Sequence, residues 1–280
     1  MRLGAPIFLE NPTPESYLEA LTKKGFRAAL CPKGLTINDT ADIAAYRAGF
    51  AAHDIVLAEV GAFCNPLSRD AAEAKEKTEF VIERLALAEE LHANCCVNIL
   101  GTYSTDNWFA PCAENFSEDF FAHSVDKARE IIDAVKPTHT KMTFELMATC
   151  FLDSPAEYLR FLKAVDRPAA AVHFDPVNCI NTPRKLFDSA SFFRESFALI
   201  GSQTVSIHLK DLAYDTDFFT VVLKEIPFGQ GNVNLAALLR EIDKLHPDTP
   251  VMLEHLPDEA AFDEAVARVH KICEQEGIVL

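Results

Sequence analysis

Apolar, β-branched runs of strand length alternate along this chain with longer segments of helical period. The runs fall near 2–8, 26–31, 55–61, 95–101, 141–147, 170–175, 204–210 and 250–255. Between them, segments near 13–24, 38–52, 69–92, 117–135, 155–164, 185–199, 234–245 and 258–275 predict helices. Helix starts are marked by Asn38-Asp39-Thr40, Ser68-Arg69-Asp70, Ser117-Glu118-Asp119, Ser154-Pro155 and Pro257-Asp258. Eight β/α repeats in 280 residues predict an α/β fold, a single-domain (β/α)8 TIM barrel spanning 1–280. A doubly wound open sheet would carry a glycine-rich phosphate turn after its first strand. Leu9-Glu10-Asn11-Pro12 stand there instead.

Two connections are long for a compact domain, and loops of that length usually serve function. The segment 102–116 holds Tyr103, the only tryptophan, Trp108, and Phe109, and reads as a lid. The segment 212–233 contains the run Pro227 to Asn232, PFGQGN.

The strand tips carry the chemistry. Glu145 in KMTFELM, Asp175 in AAAVHFDPVN, His208 in TVSIHLKD and Glu254 in PVMLEHL each end an apolar run. A charged or imidazole side chain at such a buried tip is costly unless something there needs it. In a barrel, strand C-termini converge on one face, so these four residues of strands five to eight form one arc. Each alone has a bland explanation: a rim ion pair, a core histidine or a turn before Pro176. Together they describe an open site for a divalent cation. Three carboxylates and one imidazole favour Mn²⁺ or Mg²⁺, with Co²⁺ and Zn²⁺ as further ions the set could take.

Composition narrows the partners. A net charge of −16 with no Lys/Arg cluster repels phosphate backbones and excludes nucleic acid as an expected partner. No apolar run approaches the ~20 residues of a membrane span. The N-terminus, MRLGAPIFLENPTPES, lacks the longer apolar core and cleavage site of a signal peptide and reads as the first strand. Eight cysteines without dense spacing read as reduced thiols, and the expected location is the cytoplasm.

The order Glu145, Asp175, His208-Leu-Lys-Asp211, a Pro-x-Gly-x-Gly loop at 227–231 and Leu-Glu254 resembles the xylose-isomerase-like TIM barrels, the sugar phosphate isomerase/epimerase superfamily. The resemblance covers the chain and is concentrated at 141–256. It implies that Glu145 and Glu254 bind the metal and also act as the acid/base pair of an isomerase or epimerase. The expected substrate is a small sugar, sugar phosphate or related hydroxy-carbonyl compound. A lyase or dehydratase using the same enolate, or a non-catalytic sugar-binding barrel, is the alternative. Related barrels associate through their helices, so a homo-dimer or tetramer is expected.

The chain departs from the epimerases at three places. Asn178 stands where they carry a histidine, Phe151 where they carry a second glutamate, and an arginine after the strand-seven histidine is missing. Asn178 can hydrogen-bond a hydroxyl but cannot shuttle protons. The endonuclease branch needs extra histidine ligands; Phe63-Cys64-Asn65 and Gly229-Gln230-Gly231 supply none. The remaining substrate contacts expected are Lys210, Trp108 and Cys64, beside Asn178. Glu59 is expected to pair under the barrel rim, His173 to be structural, and His255 to face the helices.

Overall fold

A computed structural model describes residues 1–280. Eight parallel strands make a nearly closed barrel in the order β1 (Arg2–Gly4), β10 (Pro250–Leu253), β7 (Thr204–Leu209), β6 (Ala170–Phe174), β5 (Lys141–Glu145), β4 (Cys95–Asn98), β3 (Val56–Gly61) and β2 (Ala28–Leu30). Numbering follows the chain; β8 (Asp211–Tyr214) and β9 (Leu223–Ile226) form a separate antiparallel hairpin after β7. The seam between β1 and β2 has no ladder, only the Arg27 N–H donating to the Leu3 carbonyl at 3.1 Å. Gly4 permits that approach, because a Cβ there would lie 2.4 Å from the Ala28 carbonyl oxygen. Under the barrel, the buried Arg2 pairs with Asp54 at 2.8 Å and Asp248 at 2.6 Å.

Helices cover the outside: α1 (Pro14–Lys24), α2 (Thr40–Ala52), α3 (Ala71–Leu91), α4 (Glu118–Val135), α5 (Pro155–Val165), α6 (Pro183–Phe187), α7 (Ser189–Ile200), α8 (Leu235–Ile242) and α9 (Glu259–Glu276). The predicted caps form at Asp70, Ser117, Ser154 and Asp258, whose side chains accept first-turn N–H groups. Asp39 departs from expectation. Its carboxylate turns back to the Thr36 N–H and hydroxyl, both at 2.8 Å, and caps nothing in α2.

Outward-facing strand residues pack on these helices, as Phe144 does on Phe161 and Phe174 on Phe197. Buried Tyr158 of α5 reaches between β5 and β6. Its hydroxyl accepts the Phe144 N–H at 3.0 Å and donates to the Ala171 carbonyl at 3.0 Å. The His173 N–H also points to it at 3.4 Å. One side chain thus braces both strands immediately before Glu145 and Asp175.

Candidate metal centre at the strand tips

Side chains two apart share a face of a strand. On β7, Ser206 and His208 point into the barrel, and Lys210, one step past the strand, keeps to their side. Glu145 ends β5, Asp175 follows β6, and Glu254 follows β10. One ligand atom from each of Glu145, Asp175, His208 and Glu254 lies within 4.8 Å of the others. The four strand-tip residues singled out by sequence therefore meet.

Local turns aim each group. Asp175 Oδ1 accepts the N–H groups of Val177 at 2.9 Å and Asn178 at 3.2 Å, an Asx turn that leaves Oδ2 facing the cluster. Asn178 Nδ2 donates to Glu145 Oε1 at 2.8 Å and to the Leu146 carbonyl at 3.1 Å. Asn178 thus positions a cluster carboxylate. His208 Nδ1 lies 2.8 Å from Glu254 Oε2 and 3.7 Å from Glu145 Oε1.

Lys210, expected as a substrate contact, reaches into the cluster itself. Its ammonium sits among the ligand atoms, 2.8 Å from Asp175 Oδ2, 2.9 Å from Glu254 Oε2 and 3.6 Å from Glu145 Oε1. Only 4% of Lys210 is exposed.

The charges of this cluster hold one another. Burial alone would raise the Glu145 pKa, but the hydrogen bond and charge of His208, then Lys210, bring it down to about 2. Glu254 is likewise lowered against its burial, by His208 and Lys210. Asp175, wholly buried, is raised by desolvation in spite of Lys210. Lys210 and His208 are both raised, because the surrounding carboxylates outweigh the cost of burying a cation.

The donor set fits a divalent ion. Asp175 Oδ2, His208 Nδ1 and Glu254 Oε2 are buried without a hydrogen bond of good geometry. Such atoms are rare unless a ligand or ion completes them. Three hard oxygen donors and one imidazole match Mg²⁺- or Mn²⁺-type coordination.

Other expected residues fall elsewhere. Cys64 is buried with its thiol towards the Lys77 carbonyl of α3 at 3.7 Å, and burial pushes that thiol up to about 12. Its N–H is held by Asn98 Oδ1 at 3.0 Å. Trp108 stays on its loop, 42% exposed and edge-on to Phe109. Phe151 joins an aromatic group with Phe120, Phe121 and Phe161.

The Gly229/Gly231 loop does not present its amides outward. Asp211 Oδ2 accepts both N–H groups, at 2.9 and 2.8 Å, and Oδ1 accepts that of Leu212 at 2.9 Å. A Cβ on Gly231 would meet Asp211 Oδ1 at 2.2 Å, so glycine is required there.

Two groups near the cluster escaped sequence reasoning. Glu225 on β9 lies 3.9 Å from Lys210 Nζ and 2.7 Å from His255 Nδ1. His255 does not face the helices. It adopts φ 56°, a left-handed turn that breaks strand alternation directly after Glu254. Its Nε2 comes within 3.4 Å of Glu254 Oε1. The hairpin carrying Glu225 lay hidden inside what sequence shows only as a long loop. A groove of about 900 Å³ between α3 and α4, lined by Arg69, Tyr103 and His123 among others, includes none of these residues.

A parallel barrel whose strand tips gather three carboxylates and one imidazole defines a class: TIM barrels with an acidic cluster at the C-terminal ends of the strands. The chain belongs to the xylose isomerase-like TIM barrel family, whose model matches residues 18–272. No curated protein matches it. It is similar in structure to the D-psicose 3-epimerase of Clostridium cellulolyticum H10, solved with D-tagatose, at 16% identity and a TM-score of 0.68 over 99% of each chain. It is also similar to the probable 3-DHS dehydratase of Bacillus anthracis, at 13% identity and a TM-score of 0.69 over 96% of this chain and 98% of that one. A magnesium complex of a xylose isomerase-like barrel from Mycobacterium smegmatis matches at 14% identity and a TM-score of 0.65 over 95% and 90%. At these identities the likeness is one of fold.

Proposed function

We propose that this protein is a divalent-metal-dependent isomerase or epimerase. It acts on a small sugar, sugar phosphate or related hydroxy-carbonyl compound by removing a proton α to the carbonyl. One observation carries the reading: a ligand atom from each of Glu145, Asp175, His208 and Glu254 lies within 4.8 Å of the others, three carboxylates and one imidazole gathered at adjoining strand tips. Family membership and a magnesium-bound barrel of the same fold support it.

Glu145, Asp175, His208 and Glu254 would hold the ion. A divalent cation held there would supply Lewis acidity towards a carbonyl oxygen. Glu145 and Glu254 arise from β5 and from the end of β10, strands separated in the sheet by β6 and β7. They can therefore act on opposite faces of one carbon. One takes the proton and the other returns it, which inverts the centre; return on the same face to the neighbouring carbon isomerises. Both are held ionised, as a base must be. Asn178 steadies Glu145 through its 2.8 Å hydrogen bond. Trp108, exposed on the loop after β4, would reach a sugar face only by movement of that loop, and there it would stack and exclude water.

Lys210 favours one alternative. An ammonium beside the acid/base pair can protonate a departing hydroxyl, which would make the reaction a β-elimination. The structural likeness to a probable dehydratase fits this second reading.

Both readings are tested by proton NMR in D₂O on Mg²⁺-loaded protein with pooled ketoses, ketose phosphates, inososes and hydroxy-keto acids. Metal-dependent loss of one carbon-bound proton signal is expected, and Glu254→Gln should abolish it while the fold stays intact. Exchange with retained carbons means isomerisation or epimerisation; a new vinylic or enol signal means elimination. Exchange undiminished in the variant would remove Glu254 from the acid/base pair.

A further inference from the structure

Beneath the cation centre lies a buried constellation that the proposed chemistry leaves unused. Glu59 of β3, 5% exposed, sits between the imidazoles of His173 and His208. Its Oε1 meets His208 Nε2 at 3.0 Å, and its Oε2 meets His173 Nε2 at 2.9 Å. The Ser206 hydroxyl adds a longer contact to Oε2 at 3.3 Å. The two rings are edge-on, with centroids 4.1 Å apart.

A carboxylate sunk in a barrel is costly unless its oxygens are satisfied, and in Glu59 both are. An ionised carboxylate only accepts, so the nitrogen of His208 that faces Glu59 must carry a hydrogen. Two imidazole nitrogens and a hydroxyl converge on Glu59, all groups able to donate to it. With the Nε2–H of His208 committed downward, Nδ1 is the ring nitrogen left for an ion, which must displace any proton it carries. That is the atom which points up to Glu145 and Glu254.

We propose that Glu59, anchored by His173 and Ser206, is a positioning residue that locks His208 as the Nε2–H tautomer and presents Nδ1 to the divalent ion. This rests on the reading of the upper cluster as a cation centre. The atoms of Glu59, His173 and His208 also approach one another as ligands of a second ion would. Direct pairing at 2.9 and 3.0 Å already satisfies both carboxylate oxygens, so one ion per chain is expected.

Two measurements test the assignment. Long-range ¹H–¹⁵N NMR of the Mg²⁺-loaded wild type, with the signal identified by its loss in His208→Asn, should report hydrogen on Nε2. Hydrogen on Nδ1 would overturn the proposal without any Glu59 variant having to fold. Glu59→Gln should weaken Mn²⁺ binding about 10–100-fold, the range for outer-shell partners of a ligating histidine, and mix the tautomers. Binding within two-fold of wild type, with the tautomer unchanged, would sink this inference alone. Two ions per chain, one lost in Glu59→Gln, would replace it with a second metal site. A wild type that binds no divalent ion would remove both this inference and the cation reading beneath it.

Discussion

At the scale of single residues, Lys210 and a divalent ion claim the same oxygens. The ammonium contacts Asp175 Oδ2 and Glu254 Oε2 at 2.8 and 2.9 Å, the atoms a cation would take. It is a tethered counter-charge for three buried carboxylates, and ion binding must displace it. Glu225, 3.9 Å away on the hairpin, is the carboxylate able to receive it. Lys210→Met should therefore have two opposed effects. Without metal, the variant loses about 3–5 kcal/mol of stability, the scale for removing one partner of a buried ion pair. With metal, its affinity for Mn²⁺ rises ten-fold or more by calorimetric titration. Weaker binding would mean that Lys210 braces the ligands instead of competing for them.

The four strand-tip residues were legible in sequence because charge at the end of an apolar run is conspicuous at any register. The position of Lys210 was not, since chain order tells only that it follows His208 on the same side. His255 defeats a sequence reading for a definite reason: alternation holds along a strand, and a left-handed residue ends it.

At the scale of elements, strands β5 and β7 and the turns after β6 and β10 carry the four cluster residues, and Tyr158 contacts both β5 and β6. Removing its hydroxyl by Tyr158→Phe takes one hydrogen bond each from the Phe144 N–H and the Ala171 carbonyl. A buried hydrogen bond contributes about 0.5–1.5 kcal/mol. The denaturation midpoint should fall accordingly with the slope unchanged. A shift below ~0.5 kcal/mol would show that the strands hold their register unaided.

All eight barrel strands and the principal helices were readable from hydrophobic period and capping. The hairpin β8–β9 was not. Its strands, DLAY and LKEI, are short and partly exposed, and what fixes them is a contact far along the chain, Asp211 against the Gly229 and Gly231 amides. The same contact explains why glycines at 229 and 231 signal a turn rather than an anion nest. The expected cap at Asp39 failed for a related reason: a short side chain satisfies whichever N–H its turn offers first.

At the scale of the whole molecule, a net charge of −16 surrounds a mouth whose floor is acidic, which draws divalent cations and repels polyanions. No helix is long and apolar enough to cross a membrane. Exposed apolar side chains such as Phe8, Phe63, Trp108, Phe109, Phe218 and Phe219 lie on loops that follow barrel strands.

If Glu145, Asp175, His208 and Glu254 form one cation site, titration with Mn²⁺ will show it, followed by the electron paramagnetic resonance of the free ion, on the wild type and on Glu145→Gln, Asp175→Asn, His208→Asn and Glu254→Gln. One ion per chain is expected in the wild type, with affinity lowered by at least an order of magnitude in every variant. A wild type that leaves all the Mn²⁺ free, or variants that bind it as tightly as the wild type, would contradict the claim.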